Sequence, residues 1–277
     1  MNYLDAPKNV GALEKRLQNL EAGDELAQRR KVSMALVVVG QMLPRSAIKG
    51  GSAMALRYGR GTRFTRDLDA ARIEPLEDFR SAFEDTLAAG WAGFRGRLVE
   101  RKAPSPAGVP AGYVMQPFDV KLEYQGRSWC TVKFELRHNE IGDAEDTEFH
   151  LSGDLEEMFT QVGLPAPRPV RVMRADHQVA QKLHALSAAG SERARDLVDL
   201  QLLDSRETLN LQQVRDTCVR LFSYRQQQPW PPVLTAAEAW ASLYEEAADD
   251  VNVLRPVERA VSWAREFIER IDSAESG

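Results

Sequence analysis

At 277 residues and 31.0 kDa the chain has room for one large domain or two modest ones. Hydrophobic residues at 43% and charged residues at 28% allow an ordinary buried core. A net charge of −5 excludes a global field that would draw the chain to nucleic acid or anionic lipid, so any basic surface must be local. Cys130 and Cys218 make neither a metal pattern nor a disulfide framework, which favours a reducing compartment. The longest apolar run, Met34 to Leu43, is too short to span a bilayer, and no basic-then-apolar leader opens the chain. The expectation is a cytoplasmic protein with no membrane partner.

In chain order, the spacing predicts helices over residues 10–20 and 24–43, the first with Leu13, Leu17 and Leu20 on one face and the second stopped by Pro44. Ala47 to Lys49 reads as a short strand entering Gly50-Gly51, with Ser52 as the cap of a helix through about Tyr58. A strand over 67–73, a helix over 75–89 and a weaker strand over 94–101 follow. Ala103 to Gly112, with its prolines and glycines, is a loop. In Phe118–Tyr124 and Cys130–Arg137 apolar residues hold the even positions, giving a sheet with a packed face and a polar one. Asp119, Lys121, Glu123, Lys133 and Glu135 lie on the polar face. From residue 175 onward the spacing is helical, over 175–189, 192–204, 210–225, 235–247 and 255–272. The class is therefore α+β, with a sheet-and-helix domain over residues 1–174 and a helical domain over 175–277.

The chemistry concentrates at Asp67-Leu68-Asp69. On a strand the two carboxylates share a face while Leu68 points to the core, and oxygen ligands so placed suit magnesium. Two metals bridged by such groups stabilise the attacking and leaving oxygens of phosphoryl transfer. A glycine-rich turn at a helix start supplies N–H groups for phosphate.

The string Ile48-Lys-Gly-Gly-Ser-Ala-Met-Ala-Leu56 followed by Arg63-Phe-Thr-Arg-Asp-Leu-Asp69 resembles the first motif of the polymerase-β-like nucleotidyltransferase superfamily. Within it, the string is similar to the AbiEii/AbiGii and MenT-type toxins of bacterial toxin–antitoxin and phage-defence systems. A second block, His177 to Ala185 and then Arg193-Ala-Arg-Asp-Leu-Val-Asp-Leu200, resembles the family's lysine-bearing helix and its basic-Asp-x-x-Asp segment. The interval from Ser52 to Asp67 is slightly longer than the family's pattern, which puts extra residues in the intervening loop.

The resemblance implies that Asp67 and Asp69 bind Mg2+ (or Mn2+). The third carboxylate is Asp119, Glu123 or Glu135. Glu135 is preferred because Val132-Lys-Phe-Glu-Leu136 best matches this branch; the alternative for Glu135 is a cross-strand ion pair with a lysine such as Lys121. Gly51 and Ser52 would hold the β,γ-phosphates of a nucleoside triphosphate, with Lys49 and Arg66 beside them. Lys182 either reaches into an active-site cleft that the helical domain completes or snorkels to solvent. Of Asp196 and Asp199, one orients Lys182 or touches the nucleotide while the other pairs with Arg193 or Arg195. His177 and His184 read as ordinary surface or core residues. The implied activity moves a nucleoside monophosphate to an acceptor hydroxyl with release of pyrophosphate, as the toxin of a toxin–antitoxin pair with a cognate antitoxin encoded alongside. tRNA 3′ ends are the first acceptor to consider; a protein, a small molecule, or a catalytically silent nucleotide-binding module are the alternatives. Arg57, Arg60, Arg63, Arg66 and Arg72, joined by Arg168, Arg171 and Arg174, are the candidate basic surface for RNA.

Overall fold

The structure, a computed structural model, describes residues 3–20, 24–104 and 114–274. The proline-rich loop expected at 103–112 lies outside the described residues except for Ala103 and Pro104. The chain forms two compact units: Met1–Arg60, Phe64–Asn139 and Ala144–Val172 make the first, and Gly61–Arg63, Glu140–Asp143 and Met173–Gly277 make the second.

The first unit is built on a sheet whose seven described strands are β1 (Ser46–Lys49), β2 (Asp67–Arg72), β3 (Phe94–Glu100), β4 (Gln116–Tyr124), β5 (Arg127–His138), β6 (Thr147–His150) and β7 (Val170–Met173). Their order is β3-β4-β5-β2-β1-β7-β6. β1 runs antiparallel to β2 and parallel to β7, while β2 runs parallel to β5. α1 (Val10–Asn19) is started by Asn9, whose side chain accepts from the Ala12 amide at 2.9 Å. α2 (Asp24–Met42) ends before Pro44, as expected, and buries Val37, Val38 and Val39. α3 (Gly50–Tyr58) follows β1 directly.

α4 (Leu76–Ala89) presents Phe79, Phe83 and Leu87 on one stripe, and the Phe79 and Phe83 rings lie 6.3 and 5.4 Å from the Phe134 ring of β5. The alternation expected for β4 and β5 holds: Phe118, Val120, Leu122, Val132, Phe134 and Leu136 are buried, while the charged residues between them are not. Among the elements not read from the pattern are β6, α5 (Gly153–Gln161) and β7. β6 and β7 have four residues each, too few for a period to register.

The second unit consists of α6 (Ala175–Leu186), α7 (Arg195–Arg206), α8 (Leu211–Arg225), α9 (Trp240–Ala248) and α10 (Val257–Asp272). α8 is capped by Asn210, which accepts from the Gln213 amide at 3.1 Å. α10 buries Val257, Ala260, Val261, Ala264, Phe267, Ile268 and Ile271, the three-and-four spacing of a helix laid on a core. The helices expected from 192 and 235 begin later, at Arg195 and Trp240. No described helix is long and apolar enough to cross a membrane.

Candidate active site

β2 sets the carboxylates. Asp67 and Asp69 are half-buried on one face, and Leu68 between them is 0% exposed. Because β2 lies between β1 and β5, Asp69 has a neighbour on each side: Lys49 across the β1 pairing and Glu135 across the β5 pairing. Of the three third-carboxylate candidates, Glu135 alone stands beside Asp69. Asp119 sits on β4 opposite Lys133 and 3.8 Å from Arg101, and Glu123 sits at the other end of β4 opposite Ser128. The ion pair considered between Glu135 and Lys121 does not form. Lys121 faces Thr131, whereas Glu135 faces Pro117 and has Arg137 at 3.7 Å.

The electrostatics follow from that register. Burial, together with the Glu135 carboxylate, pushes Asp69 up to about 6, against the pull of Lys49 and Arg137. Two carboxyl groups close enough to share a proton form a donor set with surplus negative charge. Hard oxygen ligands of this kind fit a divalent cation. Among the described residues, no group of three or more His, Cys, Asp or Glu is gathered tightly enough to hold a metal by itself. Asp67 stands two residues along the strand, about 7 Å from Asp69. That suits Mg2+, which commonly takes one or two carboxylates and completes its shell with water and phosphate oxygens.

The turn after β1 explains its glycines. Gly50 has φ +64, and a Cβ there would stand 2.6 Å from Asp69 Oδ2. Gly50→Ala should therefore cost about 1–3 kcal/mol through strain and displace the Asp69 carboxylate; paired melting curves with and without Mg2+ would show a lower melting temperature and a smaller Mg2+-induced rise.

Ser52 is not the helix cap. The left-handed Gly50 starts α3 straight out of β1, with Lys49 as the cap residue, so Ser52 lies within the first turn. Its hydroxyl is fully buried, donates to the Lys49 carbonyl at 2.8 Å and accepts from the Asp69 amide at 3.3 Å. It ties β1 to β2 at the level of the carboxylate. Gly51 is buried beside it, and Lys49, also buried, sets its ammonium against Asp69. Arg66 is exposed and lies over the Phe64 ring at 5.4 Å, on which Arg29 of α2 also lies at 5.4 Å.

In the helical unit Lys182 does not snorkel. It is 5% exposed, and its Nζ donates to Asp196 Oδ1 at 3.0 Å and Asp199 Oδ2 at 2.5 Å, both carboxylates being 0% exposed. The division of labour expected between these aspartates is also different, since both hold Lys182. Asp196 in addition accepts from Arg193 at 2.9 Å, and Asp199 receives a two-point contact from Arg63 at 3.0 and 2.8 Å. Burial alone would raise Asp196, but Lys182 and Arg193 outweigh it and hold the carboxyl down to about 2. His184, edge-on to Phe222 and beside Arg225, is pushed down to about 4 by burial and by that arginine, so it is neutral at pH 7.

The arginine series divides in the same way. Arg57 is buried against Glu148 and His150, Arg60 meets Asp154, Arg63 holds Asp199, Arg72 donates to the Glu74 carbonyl and Arg174 meets Asp176. Arg57, Arg63, Arg72 and Arg174 are thus engaged within their own units, while Arg60, Arg66 and Arg168 keep exposed side chains. The roles missed in the sequence are those of Gly50, Arg137 and Arg63. Arg137 was findable, since it follows Glu135 by two on a strand and must share its face.

A mixed sheet carrying carboxylates at the end of a strand–glycine turn–helix unit, with a helical carboxy-terminal region, is the architecture of the polymerase-β-like nucleotidyltransferases. Residues 40–267 match the family of the nucleotidyl transferase AbiEii toxin of type IV toxin–antitoxin systems, and the chain belongs to that family. Among solved structures it is similar to MenT4, a nucleotidyltransferase toxin from Mycobacterium tuberculosis, at 18% identity and TM-score 0.46, covering 95% of this chain and 97% of that one. It is also similar to a protein from H. pylori assigned as a nucleotidyltransferase, at 16% identity and TM-score 0.45, covering 90% and 96%. No curated protein sequence matches the chain.

Proposed function

We propose that this member of the AbiEii family is a metal-dependent nucleotidyltransferase toxin that moves a nucleoside monophosphate from a nucleoside triphosphate to an acceptor hydroxyl. The observation that carries the reading is Asp69, flanked in register by Lys49 and Glu135 and approached by the Gly50 turn. In the reaction the acceptor oxygen bonds to the α-phosphorus, the bond from that phosphorus to the β-bridging oxygen breaks, and pyrophosphate leaves. Asp67, Asp69 and Glu135 would hold Mg2+ or Mn2+, which supplies charge neutralisation between the attacking and leaving oxygens.

Glu135, partly exposed on the same face, would take the proton of the acceptor hydroxyl. Gly51 and Lys49 would meet the phosphates, with Arg66 at the open side. Ser52 would act indirectly, holding Asp69 by its amide. Lys182, Asp196 and Asp199 enter, with Arg63 and Arg193, as a buried ionic network within the helical unit, and Lys182 would reach a phosphate only by leaving a carboxylate.

The acceptor we propose is the tRNA 3′ end, where a free hydroxyl is available, with an antitoxin as the regulating partner. Each labelled nucleoside triphosphate, incubated with the protein, Mg2+ and total tRNA, should yield 3′-labelled RNA and pyrophosphate. Label on a protein or small molecule would replace the acceptor and leave the reaction class standing. A second reading, a nucleotide-binding module without transfer, draws on the lack of a gathered three-carboxylate cluster among the described residues. Nucleotide binding with no pyrophosphate release from any of the four nucleotides would select it.

A further inference from the structure

At the other end of β1 from Lys49 the first unit contains a cleft of about 370 Å³, within the size range of small-ligand pockets. Ser46 lines it and lies three strand steps from Lys49, about 10 Å along β1 from the carboxylate site. Ile48, Val170 and Leu43 are among its apolar lining. Three arginines, Arg45, Arg168 and Arg171, also line it, and no Asp or Glu does. In a chain of net charge −5 this is a confined positive site.

Its aromatic member is Phe149 on β6, 58% exposed, with the Arg171 guanidinium over its ring at 4.8 Å. Arg171 also donates to Thr147 Oγ1 at 3.1 Å, which fixes it beside the ring. Arg168 is fixed through its backbone, because the Gln41 side chain donates to its carbonyl at 2.8 Å and accepts from its amide at 3.0 Å. Arg45 and Arg168 are exposed. An exposed phenylalanine beside guanidinium groups, on a cleft lined by no carboxylate, combines a stacking platform with phosphate donors.

We propose that this cleft binds a nucleoside phosphate, either a unit of single-stranded RNA or a free nucleotide, with the base on Phe149 and the phosphate on Arg45 and Arg168. It is a site separate from the one that carries transfer. It does not depend on the metal reading.

The test is fluorescence anisotropy with a labelled single-stranded oligoribonucleotide, in EDTA and without nucleoside triphosphate, over a salt series. Phe149→Ala should weaken binding roughly 5- to 100-fold, and Phe149→Trp should retain it. The double variant Arg45→Gln/Arg168→Gln should flatten the slope of log K against log salt by about 0.7 for each phosphate no longer neutralised. These side chains are exposed, so melting temperatures should match the wild type. Displacement of the strand by millimolar adenosine monophosphate assigns the cleft to a free nucleotide, and no displacement, with the variant effects intact, assigns it to a strand. Both outcomes support the proposal. Strand and mononucleotide binding unchanged in all variants overturns it, as does a cleft that takes a glutamate-rich peptide and no nucleotide. Because metal and triphosphate are absent, failure here leaves the transfer reading standing, and an inactive Asp69 variant leaves the cleft standing.

Discussion

Asp69→Asn should abolish nucleotidyl transfer and, at pH 8 in EDTA, raise the melting temperature. The folded protein holds the Asp69 proton more tightly than the unfolded chain, since burial and Glu135 lift the carboxyl from 3.8 to about 6. The sign is opposite to that of an ordinary salt-bridged aspartate. Stability from this group is greatest below about pH 4, falls as pH rises toward 6 and is level above that. Asparagine keeps the shape and removes the charge, so the gain at pH 8 should be on the order of 1–3 kcal/mol, and at pH 4 it should nearly vanish. Mg2+ should stabilise the wild type at pH 8, because a cation offsets the repulsion between the two deprotonated carboxylates, and should do little for the variant. An Asp69→Asn protein that transfers nucleotide at the wild-type rate would remove Asp69 from the site. One that is inactive but less stable at pH 8 would show that Lys49, not Glu135, dominates its surroundings.

How far this site could be read from the sequence depends on the range of the interaction. Asp67-Leu68-Asp69 was legible because strand alternation is local, and two hydrophilic positions around one apolar position have one sensible arrangement. The packed face of β4 and β5 was legible for the same reason. Choosing Glu135 over Asp119 and Glu123 required the β2–β5 pairing, a parallel contact between strands separated by β3 and β4, and only resemblance pointed to it. Ser52 was misread because a capping serine and a serine just inside a helix look alike until Gly50 is known to be left-handed.

The arginines show the other limit. Arg63 and Arg57 crowd the motif in sequence, yet their partners Asp199 and Glu148 lie 136 and 91 residues away. Clustering in sequence suggested a surface for phosphate; pairing over long separations uses the same charges to hold the fold. Arg45, Arg168 and Arg171, outside the motif in sequence, are the ones that line a cleft.

The same long-range pairing reverses what the sequence suggests for Lys182→Ala. A lysine reaching a nucleotide could be removed with little change in stability. Here its ammonium sits between two carboxylates that have no solvent exposure. Removing one partner of a buried ionic set costs about 3–5 kcal/mol, and the lower end applies because Arg63 and Arg193 remain to face Asp199 and Asp196. The expected result is a fall in melting temperature of roughly ten degrees, so activity has to be compared per folded molecule.

A double-mutant cycle with Asp199→Asn separates pairing from packing: the two losses should fall short of additivity by about 1 kcal/mol or more. The acid limb gives an independent check. Asp196 is held down to about 2, below its unfolded value, so its contribution is complete above about pH 4 and is lost as pH falls through 2. Without Lys182 the carboxyl loses one of the three cations that hold it down, Lys182, Arg193 and Arg63, its folded value rises, and helical circular dichroism should collapse at a higher pH than in the wild type. A Lys182→Ala protein with the wild-type melting temperature and acid midpoint would mean that the ammonium leaves these carboxylates in solution, freeing it for the phosphate contact that the sequence first suggested.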